Sequence, residues 1–305
     1  MFKVTVLLST FNGEKYLREQ IDSVLNQQMI DVDILARDDG SNDSTISILN
    51  EYEKKYSNFK YYQNENLGPA RSFLDLICNA STDSEYYAFC DQDDVWDSDK
   101  LYCAVEMLSK LSNLTPNLYY SNLRIVDQDL KFYRVSHEKP LYSKNKYSAL
   151  TENLCTGCTA VFNRCAMQMV RNNIPEYCTM HDTWLYMLCK LLGNTIYDEK
   201  PHIAYRQHQN NVVGAYLKKN RAELYKERFF RLFQKDLQPR YINALNFETS
   251  FGKYMEQGDR EKVLEIVQYK DNLRNRLKLF FDRDVSASTF YGNVRFRLHI
   301  LWGTV

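Results

Sequence analysis

The sequence predicts an open α/β domain built on a mostly parallel sheet, followed by a helical, basic C-terminal region. Three observations lead there. Short apolar runs alternate with amphipathic stretches through the first hundred residues, each run gives way to a loop rich in Asp, Asn, Ser and Gly, and beyond residue 215 the text becomes long and charge-laced. Short runs this uniformly apolar suit strands buried on both faces, as parallel strands are.

The alternation starts with the strand-like Lys3–Leu8 and the helix-like Tyr16–Gln27, where Leu17, Ile21 and Val24 recur on one face. Val32–Ala36 then leads to Ser44–Tyr56, which carries Leu49, Tyr52 and Tyr56 at helical spacing. Phe59–Tyr62 leads to Pro69–Ala80, and Tyr86–Cys90 to Ser98–Leu111. This βαβα order predicts an open sheet with helices packed on it. Past residue 215 the helical stretches are Leu217–Lys235, Tyr241–Glu256 and Arg260–Phe281, with Leu224, Phe229, Leu232 and Phe233 expected to pack against the main domain. No internal repeat is visible.

Composition bounds the function classes. With 305 residues, 44% hydrophobic and 26% charged, the chain supports one large core or a core with a smaller appendage. Ten Gly and six Pro beside 14% aromatics exclude low-complexity and collagen-like architectures. The apolar start, Met1 to Ser9, lacks a basic stretch and a cleavage site and reads as a strand, not a secretion signal. Nowhere do 18 uncharged apolar residues run together, so the expectation is a cytoplasmic protein, soluble or peripheral on the inner face of the membrane. The eight cysteines are then expected to be reduced core residues. Cys155 and Cys158 have zinc-like spacing, but no second close pair follows, and packing is the preferred reading. Residues 1–214 hold 21 basic and 28 acidic side chains, a net −7, against 18 and 11, a net +7, in 215–305. That split argues against a nucleic-acid partner and predicts a basic tail that meets anionic lipid, with a solvated helical face as the alternative.

Open α/β sheets bind ligands beyond the carboxyl ends of their strands, so the loops after the four runs are where chemistry is expected. They read Ser9-Thr10-Phe11-Asn12-Gly13, Asp38-Asp39-Gly40-Ser41-Asn42-Asp43, Asn64-Glu65-Asn66-Leu67-Gly68-Pro69-Ala70-Arg71 and Asp91-Gln92-Asp93-Asp94. Three crowded carboxylates in the last loop repel unless a cation compensates them. Oxygen ligands of this kind suit Mg²⁺ or Mn²⁺ bridging a diphosphate; the alternative is a capping cluster ahead of the helix near Asp97 and Ser98. Asp38 and Asp39 beside Gly40 can accept hydrogen bonds from a base or ribose, although an ordinary βα turn looks similar. Gly68 permits close backbone approach to a ligand, and Arg71 offers a guanidinium for phosphate.

The conjunction of these loops, in this order, resembles the family 2 glycosyltransferases of the GT-A fold, a Rossmann-like open sheet, over residues 3–214. Three later stretches, Thr156-Gly157-Cys158-Thr159-Ala160-Val161-Phe162-Asn163, His181-Asp182-Thr183-Trp184 and Tyr205–Gly214, together with Asp91-Gln92-Asp93-Asp94-Val95-Trp96, are similar to the bacterial rhamnosyltransferase branch, which builds cell-wall and capsular polysaccharides. That branch commonly carries an aromatic where this chain has Thr183. The resemblance implies a nucleotide-sugar half, 1–95, and an acceptor half, 96–214. In it, Asp38 and Asp39 hold base and ribose, Arg71 approaches the diphosphate, and Thr10, Phe11, Asn12, Gly68, Asp91 and Gln92 belong to the donor site. Asp93, with Asp91, handles metal and phosphate, and His208, after the strand-like His202–Arg206, adds a further metal or phosphate contact, with a hydrogen-bonded loop histidine as the alternative. Asp182 is the implied base, and a carboxylate opening the apolar helix Thr183–Leu192 is independently well placed to receive a proton; a simple helix cap is the alternative. Trp96 and Trp184 can stack on sugar, though burial is the commoner use of tryptophan. The implied donor is dTDP-L-rhamnose, with UDP-hexoses next, and the implied acceptor is a lipid-linked oligosaccharide or polysaccharide. No motif in 100–214 offers a second carboxylate as nucleophile, which favours single displacement with inversion. A nucleotidyltransferase would need a Gly-rich basic loop that Ser9–Gly13 lacks, and an inactive binding module would have lost a carboxylate.

Overall fold

The computed structural model describes residues 1–138, 142–208 and 239–305. Its first half follows the expected order: β1 (Phe2–Thr10), α1 (Leu17–Leu25), β2 (Ile30–Asp38), α2 (Thr45–Lys55), β3 (Phe59–Gln63), α3 (Pro69–Asn79) and β4 (Tyr86–Cys90). β1 lies between β2 and β4, parallel to both, with Val6 opposite Ile34 and Ala88. The second half adds β5 (Val95–Trp96), α4 (Lys100–Leu108), β6 (Asn117–Ser121), β7 (Arg124–Val126), β8 (Phe132–Val135), β9 (Val161–Asn163), α5 (Arg164–Arg171), α6 (His181–Leu192), β10 (Asn194–Asp198) and β11 (Ile203–Arg206). The main sheet has seven strands in the order β10-β6-β9-β4-β1-β2-β3, and β5-β11-β7-β8 form a second, small sheet. Only β9 runs against its neighbours in the main sheet.

Side chains alternate across β1. Val4, Val6 and Leu8 enter a core with Ile21, Val24, Leu49 and Phe59, whereas Leu7 joins Phe73, Ile77, Phe89, Phe162 and Leu185 on the other face. Each of these buried aliphatic or aromatic side chains contributes about 1.5–3 kcal/mol of transfer free energy. The second core runs on into the C-terminal helices α7 (Pro239–Phe251), α8 (Gln257–Gln268), α9 (Leu273–Phe281) and α10 (Phe290–Trp302), through Phe247, Phe251, Ile266, Tyr269, Phe296 and Val305. The C-terminal region is therefore fastened to the α/β domain through α6, where Trp184 packs against Phe247 and Phe251 at ring separations of 5.8 and 5.5 Å. Trp184 has no exposed face for a sugar.

Several boundaries differ from expectation. The stretch expected as one helix over Arg260–Phe281 is broken near Asn272, whose side chain caps α9 by accepting from Asn275 N at 2.8 Å. The helix expected from Thr183 begins at His181. The expected helix Leu217–Lys235 lies outside the described residues, as does the expected boundary at 214. All eight cysteines are free thiols; Cys90, Cys155, Cys158 and Cys189 are buried, Cys103, Cys165 and Cys178 half-buried, and Cys78 exposed. Among the described residues no helix is long and apolar enough to cross a membrane.

Candidate functional site

The site lies at the carboxyl ends of β1, β2 and β4, where three loops are stitched together by side chains. Asp38, fully buried at the end of β2, accepts from Gly40 N (3.1 Å), Ser41 N (2.8 Å) and Thr10 Oγ1 (3.0 Å) as well as the Ser41 hydroxyl. Its carboxylate is thus spent on the turn, whose Gly40 sits at φ +86°. Asp39 pairs with Arg37 and accepts from Leu67 N and Gly68 N at 2.8 and 2.9 Å, so it holds the loop before α3 against the sheet. Gly68 adopts φ +75°, and nothing lies within 4 Å of where a Cβ would stand, so open space faces its backbone.

Asn12 closes the first loop onto the second: its amide donates to Ser41 Oγ at 2.8 Å, and its side-chain oxygen accepts from Asn42 N at 2.9 Å. Gln92 joins the first loop to the acidic one by a two-way bond, accepting from Phe11 N (2.8 Å) and donating to Phe11 O (2.9 Å). A Cβ on Gly13 would stand 2.1 Å from Gln92 Oε1, so a side chain there would displace the Gln92 amide from Phe11. The Phe11 ring is left exposed. Arg71, in the first turn of α3, donates to the carbonyl of Glu176 and so ties α3 to the segment preceding α6.

In the acidic loop, Asp93 Oδ2 is 2.7 Å from His208 Nε2, so the two residues expected to hold a metal are adjacent. Asp94 is fully buried, accepts from Arg206 N at 3.1 Å through one oxygen, and has no hydrogen-bond partner for the other. The Asp91 and Asp94 carboxylates and the Cys158 thiol lie within 4.8 Å of one another. Burial, then the charges of Asp93 and Asp182, push Asp91 up to about 7. Burial and the same crowding, with Asp93 ahead of Asp91, raise Asp94 well above the usual carboxylate range. A cluster so reluctant to ionise, with an orphaned buried oxygen and a histidine at its rim, fits a divalent cation. Beneath it, the buried Lys100 ammonium sits 3.3 Å over the Trp96 ring with no hydrogen-bond partner, and burial lowers it to about 8.

Asp182 stands in the first turn of α6, but it does not cap the helix: Met180 occupies that position, and no side chain makes a capping bond. Its carboxylate accepts from Gly157 N at 3.1 Å instead. Burial pushes it up to about 6, against the opposing pull of the Thr183 and Gly157 amides. Next to it, His181 is sandwiched between Phe73 and Phe89 at 4.0 and 4.6 Å, and burial holds its imidazole neutral, down to about 3. Gly157 permits this packing, since a Cβ there would come within 2.8 Å of His181 Nε2. The Asp182 charge acts on Asp91, which joins a desolvated carboxylate on α6 to the acidic loop after β4.

Three organising residues were not legible in the sequence. Arg37, with no exposed surface, binds Asp39, Asp75 Oδ2 (2.9 Å), Ser72 Oγ (3.2 Å) and Glu65 O (2.9 Å). Lys100 underlies the acidic loop, and Arg206 holds that loop's backbone through Asp93 O at 2.9 Å. The available signal for Arg37 was a lone cation inside the apolar strand text Ile34-Leu35-Ala36-Arg37.

Against known proteins, the family model for glycosyl transferase family 2 matches residues 5–172. The dTDP-rhamnosyl transferase RfbG of Shigella flexneri is 30% identical over 224 residues, covering 68% of this chain and 74% of the relative. An uncharacterized glycosyltransferase of Rickettsia typhi is 27% identical over 222 residues, covering 70% of this chain and 67% of the relative. Among solved structures, S. aureus TarS in complex with UDP-GlcNAc superposes with a TM-score of 0.55 at 15% identity, over 98% of this chain and 89% of that one, a likeness of fold.

Proposed function

Because the chain belongs to glycosyl transferase family 2 and has the GT-A fold, we propose that it transfers L-rhamnose from dTDP-L-rhamnose to a saccharide acceptor with inversion at the anomeric carbon. The observation that carries this reading is the pairing of Asp182 with the acidic loop: one carboxylate made more basic by burial, electrostatically coupled to a cluster suited to a diphosphate-bound cation. The RfbG likeness supports the choice of donor.

The nucleotide lies across the carboxyl ends of β1 and β2, over the turn that Asp38 builds and the loop that Asp39 and Arg37 hold, with the exposed Phe11 ring and the open face of Gly68 beside it. Mg²⁺ or Mn²⁺ held by Asp93 and His208, next to Asp91, would offset the charge of the departing diphosphate. Asp182 accepts the acceptor hydroxyl's proton as the new bond forms on the opposite face of the sugar. Near neutral pH it is ionised, yet it is a stronger base than an ordinary carboxylate, the balance general base catalysis calls for.

The acceptor is a lipid-linked or polymeric saccharide in cell-wall or capsule synthesis, met at the inner membrane surface. The C-terminal helices suit that surface: Leu273, Leu277 and Phe281 are exposed at four-residue spacing along α9, interleaved with Arg274 and Lys278. NMR of the product made from dTDP-β-L-rhamnose tests the chemistry. An α-L-rhamnoside is expected; a retained configuration overturns single displacement.

A further inference from the structure

We infer that Asp99, Cys103 and His202 form a second metal site, selective for zinc-like ions and separate from the acidic loop. Asp99 immediately precedes α4 and Cys103 follows one turn later, with Cys103 N donating to Asp99 O at 2.9 Å, so both side chains leave the same face of the helix. His202 comes from the residue before β11 and is almost fully buried. One ligand atom from each of the three lies within 4.8 Å of the others, and His202 Nδ1 is 2.9 Å from Asp99 Oδ1. Ligands about 2.0–2.3 Å from a tetrahedral zinc stand roughly 3.3–3.8 Å apart, so side-chain adjustments of an ångström or so bring all three onto one ion.

The imidazole is already oriented for this. Nδ1 faces Asp99, and Nε2 lies 3.3 Å from Asp198 Oδ2 without a well-aligned hydrogen bond. Asp198 is fixed in turn by Tyr119 Oη at 3.0 Å and Lys200 N at 2.8 Å. A small rotation of the ring would let Nε2 donate to Asp198, the carboxylate arrangement that sets tautomer and ring angle at metal-bound histidines. Lys200 Nζ, 3.1 Å from Asp99 Oδ2, occupies the oxygen turned away from His202, leaving Oδ1 to the ion. A thiolate–imidazole–carboxylate set favours zinc over the hard cations that the all-oxygen carboxylates of the acidic loop favour. Asp97 N donates to His202 O at 3.0 Å, and β11 ends at Arg206, two residues before His208, so an ion here would brace the strand that supports the acidic loop.

The test uses chelator-treated full-length protein with excess Mg²⁺ to fill the acidic loop, titrated with Co²⁺ as a spectroscopic stand-in for zinc. The parent protein should develop a thiolate-to-cobalt charge-transfer band that Zn²⁺ abolishes. Cys103→Ser should lose the band, Cys158→Ser should keep it, and Asp198→Asn should weaken Co²⁺ binding about 10–100-fold, with melting curves confirming that each variant is folded. No band in the parent, a band retained in Cys103→Ser, or a band lost in Cys158→Ser would overturn the assignment.

Discussion

Replacing Asp182 by Asn should move activity and stability in opposite directions. Asn keeps the side chain's size and an oxygen able to accept from Gly157 N, but it cannot take a proton. General base catalysis of about 10²–10⁴-fold should therefore vanish from kcat, with donor affinity largely kept. Stability follows from the same burial. The Asp182 carboxyl stands at about 6 in the fold against an ordinary value of 3.8, and at 1.36 kcal/mol per tenfold change this sets a ceiling of about 3 kcal/mol on the cost of ionising it in place. Partial access to solvent reduces the figure to about 1–2 kcal/mol. The sign is fixed by linkage: because the folded state holds this proton more tightly than the unfolded chain, the penalty is absent below pH about 4, grows between about 4 and 6, and is complete above about 6. The Asn variant should thus match the parent in acid and melt a few degrees higher at pH 8. Calorimetric melts across this range, beside transfer rates at saturating acceptor, measure both effects. Parental kcat/KM should also fall as pH drops below about 6. A variant that transfers at the parental rate, or whose melting difference does not change with pH, would refute the assignment of Asp182 as a desolvated base.

Arg37→Met should leave the Asp39 carboxylate buried without its cation and cost about 3–5 kcal/mol in urea denaturation; a loss under about 1 kcal/mol would contradict the organising role given to that pair. Gly157→Ala should push His181 and Asp182 aside, lowering kcat at least about tenfold while leaving the half-maximal Mn²⁺ concentration unchanged, and full activity would show that this close packing does not position the base. Leu277→Glu with Phe281→Glu changes two exposed positions of α9 and should abolish flotation with anionic vesicles, each basic group contributing on the order of 1 kcal/mol to that contact.

The βα order of the first hundred residues was legible because each strand there is an apolar run and each helix shows one apolar face. The small sheet was legible only at β11, where His202–Arg206 reads as a strand; β5, β7 and β8 have two to four residues each, too few for a period to emerge. The site loops were legible by position, since they follow strands, but their division of labour was not. Asp38 and Asp39 are identical in the text, yet one carboxylate closes the turn on itself and the other anchors a loop nearly thirty residues away. Which lone pairs remain for a ligand is a tertiary fact. Lys100 and Arg37 were hidden for a related reason: a cation in a sequence reads as surface until the partners or ring that bury it come together.

Metal-dependent rhamnosyl transfer is tested by a donor-consumption screen. The protein is incubated with dTDP-L-rhamnose, UDP-hexoses and GDP-mannose in parallel, with Mg²⁺ or Mn²⁺ and with excess EDTA, and Asp93→Ala is run alongside. dTDP-L-rhamnose should be consumed fastest, EDTA should stop the reaction, and Asp93→Ala should be folded but inactive. Preferential consumption of a UDP-hexose, or turnover undiminished by EDTA or by loss of Asp93, would contradict it.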